Sequence, residues 1–331
     1  MFFSVVVPVY NRPDELYELL KSLSSQTKSD CFEVIVVEDG SVFSAEEVAN
    51  TFKHLNLQYF FKENTGPGDS RNFGMKYAKG DFILLFDSDC ILPNDYFEKL
   101  VHLLKNYPCD FFGGTDKELP QFSLIQKAIN FSMTSVLTTG GIRGQRVSAN
   151  FQPRSFNMGL SKECFELSGG FSNLHPGEDP ELTFKLWKMG KISKGFPELF
   201  VYHKRRISWK KFYQQMNKFG KARPILDLKY PEYAKIFFWF PTLFIIGIDI
   251  AIIAALFGYF IPIYLYTFYF LLVALEAVIK TKSLVMIPYV FVALLIQMYA
   301  YGLGFLWSKI QLVFYKKNPE VTFPELFFKI S

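Results

Sequence analysis

Two hydrophobic periods alternate along the first part of the chain. Phe2 to Val9 and Glu33 to Val37 are β-branched and aromatic runs, apolar on both faces as buried parallel strands are. Between them Leu16, Leu19, Leu20 and Leu23 recur at helical spacing from Pro13 to Leu23, and Asn11 to Asp14 supply the start signal. A helix around Ala45 to Phe52, a strand near Leu57 to Phe61, a helix from Asp69 to Ala78 and a strand from Phe82 to Phe86 continue the alternation. The pattern predicts an α/β, doubly wound and mostly parallel sheet, whose ligands sit beyond the C-terminal ends of the strands.

After Lys235 the pattern changes. Ile236 to Phe260, Ile261 to Ile279 and Leu284 to Trp307 are apolar all round, and each approaches the ~20 residues a helix needs to cross a bilayer. Pro262 and the Lys280 to Lys282 cluster punctuate them. Segments with no polar face to offer water are expected to insert in a membrane. Three crossings from a cytosolic N-terminal domain would put Lys309, Lys316 and Lys317 outside, against the positive-inside tendency, which leaves room for one re-entrant or interfacial segment. Asp249 and Glu276 within these stretches are expected to face protein, headgroups or substrate. The domains expected are 1–230, a catalytic unit; 236–308, membrane helices; and 309–331, a tail.

Composition adds direction. The net charge of +5 draws in part on Lys204, Arg205, Arg206, Lys210, Lys211, Lys218, Lys221 and Arg223, just ahead of the apolar region. That position suits membrane lipids and not nucleic acid. Cys31, Cys90, Cys109 and Cys164 are scattered and form no CxxC pair, so neither a zinc site nor a disulfide framework is indicated. Met1 to Val9 has neither a charged leader nor a cleavage site, and the N-terminal domain is expected on the cytoplasmic side of the plasma membrane.

The candidate chemistry follows the strands. Asp87, Ser88 and Asp89 come directly after the fourth strand, where two carboxylates at i and i+2 can share a magnesium or manganese ion with a diphosphate. Taken alone, such a triplet is often a turn. Its context is VVVPVYN at Val5 to Asn11, VVEDGS at Val36 to Ser41 and NTGPGDSRNFG at Asn64 to Gly74, in this order at strand ends. Together these closely resemble family 2 of the inverting glycosyltransferases, which have the GT-A nucleotide-diphospho-sugar transferase fold, and the resemblance covers residues 2 to 225.

The resemblance implies roles. Pro8, Tyr10 and Asn11 become nucleoside contacts; Asp39, of the Glu38-Asp39 pair, supplies a carboxylate to a base N–H. Gly66, Pro67 and Gly68 form a loop that backbone and nucleotide approach closely, and Arg71 offers a planar cationic fork. The segment GGFSNLHPGEDPEL, Gly169 to Leu182, looks like the acceptor-side motif. Its Asp179 is assigned as the base, with Glu178 as neighbour or substitute; a helix cap at Asp179 before Pro180 is the competing reading. His203 resembles the histidine that completes coordination beside Asp89. His54, His102 and His175 have no comparable context.

Phe122 to Gly144 reads as an amphipathic element on the membrane or a buried helix, and Tyr213 to Arg223 matches the QxxRW region of processive synthases only in degenerate form. The expected partners are a nucleotide-sugar donor, membrane lipids and a lipid-linked saccharide acceptor. Transfer to a polyprenyl monophosphate, and a catalytically inactive nucleotide-binding scaffold, are the alternatives.

Overall fold

The computed structural model describes residues 1–117, 122–139, 148–203 and 208–328. The chain forms two compact units. One comprises Met1–Leu119, Gln145–Lys204 and Phe327–Ser331; the other comprises Pro120–Gly144 and Arg205–Leu326.

In the first unit the chain runs β1 (Phe3–Val9), α1 (Pro13–Ser24), β2 (Phe32–Asp39), α2 (Glu46–Thr51), β3 (Leu57–Lys62), α3 (Pro67–Lys76), β4 (Phe82–Leu85), β5 (Cys90–Ile91), α4 (Tyr96–Asn106) and β6 (Phe111–Lys117). It leaves for the second unit through α5 (Leu124–Thr134) and α6 (Val136–Thr139). It then resumes with β7 (Ser148–Ala149), β8 (Met158–Ser161), α7 (Lys162–Ser168), α8 (Glu178–Lys188) and β9 (Ser193–His203).

The strand order is β3-β2-β1-β4-β8-β6-β9-β5, with β7 paired to β9. The first four strands are parallel, with Phe3 opposite Phe32 on one side and Phe82 on the other. Beyond them β8 is antiparallel to both β4 and β6, so the sheet is parallel in its N-terminal half and mixed in the rest. This is the α/β arrangement expected from the alternation. The parallel half sends the ends of β1, β2, β3 and β4 to one edge.

Alternation along β1 explains why both faces are dry. Val5, Val7 and Val9 enter a core with Leu16, Leu19 and Leu20 of α1 and Leu100 and Leu103 of α4. Val6 points the other way, to Met75 of α3, Cys164 of α7 and Leu182 and Leu186 of α8. Burying a Leu or Val side chain contributes about 1.5–3 kcal/mol, so a central strand that fills both faces is a strong organiser. Gly74 is required for the second layer: a Cβ there would stand 2.6 Å from Val6 Cγ1.

In the second unit α9 (Trp209–Lys229) precedes α10 (Phe240–Leu256), α11 (Ile261–Thr281) and α12 (Met286–Lys309). Three helical stretches, Ile236–Leu256, Ile261–Thr281 and Met286–Phe314, are long and apolar enough to cross a membrane. Exposed Ile250, Ile253, Leu256, Leu265, Phe268 and Leu275 along α10 and α11 need a non-aqueous surround. Asp249 accepts from the Tyr299 hydroxyl at 2.9 Å, and Glu276 from Ser135 at 2.5 Å while pairing with Lys280 at 2.7 Å. Both carboxylates thus have protein partners.

The helix α9, which the sequence grouped with residues 1–230, clusters with the apolar helices. Its Gly220 lets the backbone of α12 come close, since a Cβ would lie 2.2 Å from the Tyr301 carbonyl oxygen. Asn217 Nδ2 donates to the Ala300 carbonyl at 3.1 Å, and Ser308 to that of Lys221 at 2.8 Å. Within Phe122 to Gly144, α5 carries a Ser123–Gln126 capping box and buries Ala128, Ile129 and Phe131 in the apolar core of this unit, as a buried helix does. Gly140 to Gly144, like Lys204 to Arg206 of the basic flank, lies outside the described residues.

Candidate active site

The strand ends of the first unit bring the predicted residues to one edge. After β1, Asn11 adopts φ 54° and its side-chain oxygen accepts from the amides of Val42 and Phe43 at 2.7 and 3.1 Å. Asn11 is therefore the tie between the β1 and β2 loops. Tyr10 beside it is exposed, and Pro8 is half-buried. At the end of β2, Asp39 Oδ1 accepts from Lys62 at 2.8 Å and from the Thr65 amide at 3.0 Å; Oδ2 accepts from the Gly66 amide at 2.9 Å. Asp39 builds the loop that opens α3. Its neighbour Glu38 is fully buried and accepts from Tyr59, Ser44 and the Ala45 amide.

The α3 sequence RNFG has a division of labour visible only in space. Arg71 Nη2 donates to Asp87 Oδ1 at 2.5 Å, and its Nη1 lies 3.7 Å from Glu178 Oε1. Burial works against the Arg71 charge, but the carboxylates of Asp87, Asp179 and Glu178 outweigh it and raise the guanidinium above its ordinary value. Its Nε and Nη1 are buried without a hydrogen-bond partner. Asn72 clamps the acceptor-side loop at two points, donating to the Phe171 carbonyl and accepting from the Phe171 amide, both at 2.8 Å. Gly68 faces the Ser172 carbonyl oxygen, which a Cβ would approach to 3.0 Å.

Asp89 is nearly enclosed. Its Oδ2 accepts from Arg12 Nη1 at 2.9 Å, and its Oδ1 lies 3.0 Å from His203 Nε2. Burial would raise this carboxyl, yet His203 and Arg12 bring it down to about 2. His203, the last residue of β9, stacks on Phe156 with ring centroids 4.8 Å apart. Asp89, Cys90 and His203 present their ligating atoms within 4.8 Å of one another. Cys90 is buried, donates to the Phe156 carbonyl at 3.4 Å and has its thiol pushed well up by desolvation, so it stays a protonated core residue. Ser88, between the two aspartates, is buried.

Glu178 and Asp179 open α8. Gly177 occupies the N-cap position and no side chain caps the helix, so Asp179 is not the cap. Glu178 is buried with His175 Nδ1 2.7 Å away. Desolvation alone would raise it; His175 and Arg71 reverse that and hold it below its ordinary value. Asp179 Oδ2 accepts from the Ser155 amide at 3.1 Å, and Oδ1 is buried without a hydrogen-bond partner. Burial and the Glu178 charge raise Asp179 to about 6. Two adjacent carboxylates are driven apart in acidity, the pattern of acid–base sites. The Ser155 segment is itself fixed by Asn157, which accepts from Tyr96 at 2.6 Å and donates to Thr115 and Leu199 carbonyls.

Residues 4–162 match the model of glycosyl transferase family 2. This stretch is a family 2 glycosyltransferase domain. The domain is 40% identical over 96 residues to an uncharacterised glycosyltransferase of Rickettsia conorii, covering 29% of this chain and 16% of that one. It is 40% identical over 104 residues to the poly(ribitol-phosphate) β-N-acetylglucosaminyltransferase TarS of Staphylococcus aureus, covering 30% and 17%. With a glycosyltransferase of Haemophilus influenzae the identity is 32% over 142 residues, 37% of this chain and 56% of the relative. The matches thus span only a part of these relatives. In fold, a mannosyltransferase from Pyrobaculum calidifontis, solved with GDP-Man and Mn2+, has a TM-score of 0.61 at 18% identity, covering 93% of this chain and 87% of that one. TarS residues 1–349 give a TM-score of 0.50 at 23% identity, covering 67% and 65%. The glycosyltransferase domain has the GT-A-type fold that the strand-end motifs implied.

Sequence reasoning missed Arg12, Lys62, Ser155 and His175. Arg12 follows Asn11 directly, but nothing local says that it reaches Asp89. His175 lies inside the acceptor-side motif, three residues before Glu178, and that spacing was the available signal.

Proposed function

We propose that this chain transfers one sugar from a nucleotide-diphosphate donor, in first place a UDP-sugar, to a membrane-associated, lipid-linked glycan acceptor with inversion at the sugar carbon. The observation that carries the reading is Asp179: a carboxylate raised to about 6, with one oxygen buried and unpartnered, in the unit where Arg71 joins Asp87 to Glu178. A base needs a pKa near the working pH and an open lone pair for the acceptor hydroxyl's proton. Asp179 has both, and the Ser155 amide orients it. Glu178, held anionic by His175 and Arg71, keeps Asp179 basic and is its neighbour and not its substitute.

Arg71, whose Nε and Nη1 make no hydrogen bond, has capacity for phosphate oxygens. Pro8 and Asp39, near the ends of β1 and β2, and Tyr10 and Asn11, just after β1, are assigned to the nucleoside, and Gly68 and Ser88 to the donor. Asp89 and His203 fit a divalent ion: an oxygen and an imidazole donor lie side by side, and Asp89 Oδ1 accepts no directed hydrogen bond. Asp87 is the further carboxylate for it. Manganese or magnesium bound there would neutralise the departing diphosphate. The relatives named glycosyltransferases, and the GDP-Man and Mn2+ of the archaeal neighbour, are consistent with this chemistry.

The three apolar helices support a multi-pass membrane chain, and we place it in the plasma membrane with the catalytic domain on the cytoplasmic side. Anchoring confines enzyme and lipid acceptor to one surface and raises their effective concentration. The test is calorimetric titration of the detergent-solubilised full chain with UDP and GDP, each with and without manganese, followed by transfer from the matching nucleotide sugar to a polyprenyl-diphosphate glycan extract. Metal-dependent binding with transfer supports the proposal. Tight nucleotide binding with no transfer to any lipid fraction points to an inactive scaffold, and transfer to polyprenyl monophosphate alone redirects the acceptor assignment.

A further inference from the structure

The chain leaves the second unit at Leu326 and re-enters the first at Phe327. Phe327 forms an isolated antiparallel bridge with Leu174, and the Phe328 amide donates to the Asn173 carbonyl at 3.0 Å. The Phe328 ring occupies the space above Gly66: a Cβ on that glycine would come within 2.4 Å of Cγ. The same ring lies 5.8 Å from the His175 ring. It lines a cavity of about 50 Å³ whose other walls include Thr65, Gly68, Asn72 and Phe171. One side chain from the far end of the sequence therefore touches both the donor-side loop that Asp39 builds and the acceptor-side loop that leads into Glu178 and Asp179.

We propose that Phe327 and Phe328 form a clasp that positions the acceptor-side loop, residues 171–177, against the Gly66 loop. The inference deepens the reading of this site as a sugar-transfer centre. Asn72 already holds the loop at Phe171 through two hydrogen bonds. Ser172 bonds Glu181 and His175 contacts Glu178 on the α8 side, and the stretch between them, Asn173 and Leu174, is attached through the clasp. With the clasp in place, opening this loop must also break a backbone hydrogen bond and an aromatic contact, which raises the cost of local opening. Phe328 is a positioning residue: it acts on the loop, and the loop presents the carboxylates.

The experiment is hydrogen exchange on the detergent-solubilised full chain, wild type against Phe328→Ala, Phe328→Leu and Phe328→Tyr, read by mass spectrometry over residues 168–180 and over β1, β2 and β4. The clasp requires exchange in 171–177 to rise about tenfold or more in Phe328→Ala, with Phe328→Tyr near wild type, Phe328→Leu between them and the strands unchanged. Unchanged exchange in that loop overturns the proposal. So does an equal rise in loop and strands, which would mean general destabilisation; should Phe328→Ala fail to fold, the Leu and Tyr variants carry the same comparison. Nucleotide binding by wild type is measured separately, so absence of any donor site would fail the functional reading while leaving the clasp measurement intact.

Discussion

Glu178 and Asp179 are consecutive residues that face different partners: Glu178 lies 2.7 Å from His175 Nδ1, and Asp179 accepts from the Ser155 amide at 3.1 Å. The first turn of α8 splays them, and the His175 ring meets one only. Asp179→Asn is expected to lower transfer by about 10²–10⁴-fold while leaving nucleotide binding near wild type. Steady-state kinetics beside calorimetry measure both; full turnover in Asp179→Asn would sink the base assignment.

The pH profile follows from the direction of the Asp179 shift. Its folded-state value of about 6 means that below this pH the carboxyl carries a proton and has no lone pair for the acceptor hydroxyl. Transfer at subsaturating substrate is expected to rise with unit slope up to about pH 6 and then level. Replacing His175 with Gln removes the ring that lowers Glu178; because burial dominates Glu178, its carboxyl then rises. A profile flat from pH 5 to 8 would exclude titration of Asp179 as the controlling step.

Asp89 and His203 make a separate prediction about the donor site. Asp89→Asn is expected to abolish the manganese dependence of nucleotide binding, and His203→Gln to weaken it by on the order of tenfold or more, about 1.4 kcal/mol. Titration of each variant with and without manganese tests this. Retention of wild-type manganese dependence by Asp89→Asn places the ion elsewhere.

Packing of α9 on α12 gives a stability prediction. Gly220→Val puts branched carbon where a Cβ would already lie 2.2 Å from the Tyr301 carbonyl oxygen, and overpacking of this kind costs about 1–3 kcal/mol. The detergent-solubilised variant should unfold at lower temperature than wild type, whereas Gly190→Ala, in open space at φ +76°, should show only the smaller cost of its backbone strain.

Much of the architecture was legible because its causes are local. Runs apolar on both faces name buried strands, Leu16 to Leu23 names a one-faced helix, and segments without a polar face name membrane-competent helices; each rests on a periodicity that neighbouring residues carry. The positions of Asp87, Asp89, Asp179 and His203 at element ends were legible for the same reason. What remained hidden depends on pairing across long sequence separations. No local pattern states that β8 joins β4 antiparallel, that Arg12 reaches Asp89, that Asn72 clamps Phe171 or that Phe328 closes over Gly66. Those contacts arise only when the sheet has brought the loops to one edge. Composition determined the kinds of element and the residue types available for chemistry. The tertiary structure decided which carboxylate each cation faces, and through burial and those neighbours, which of two adjacent acids stays ionised and which rises to about 6.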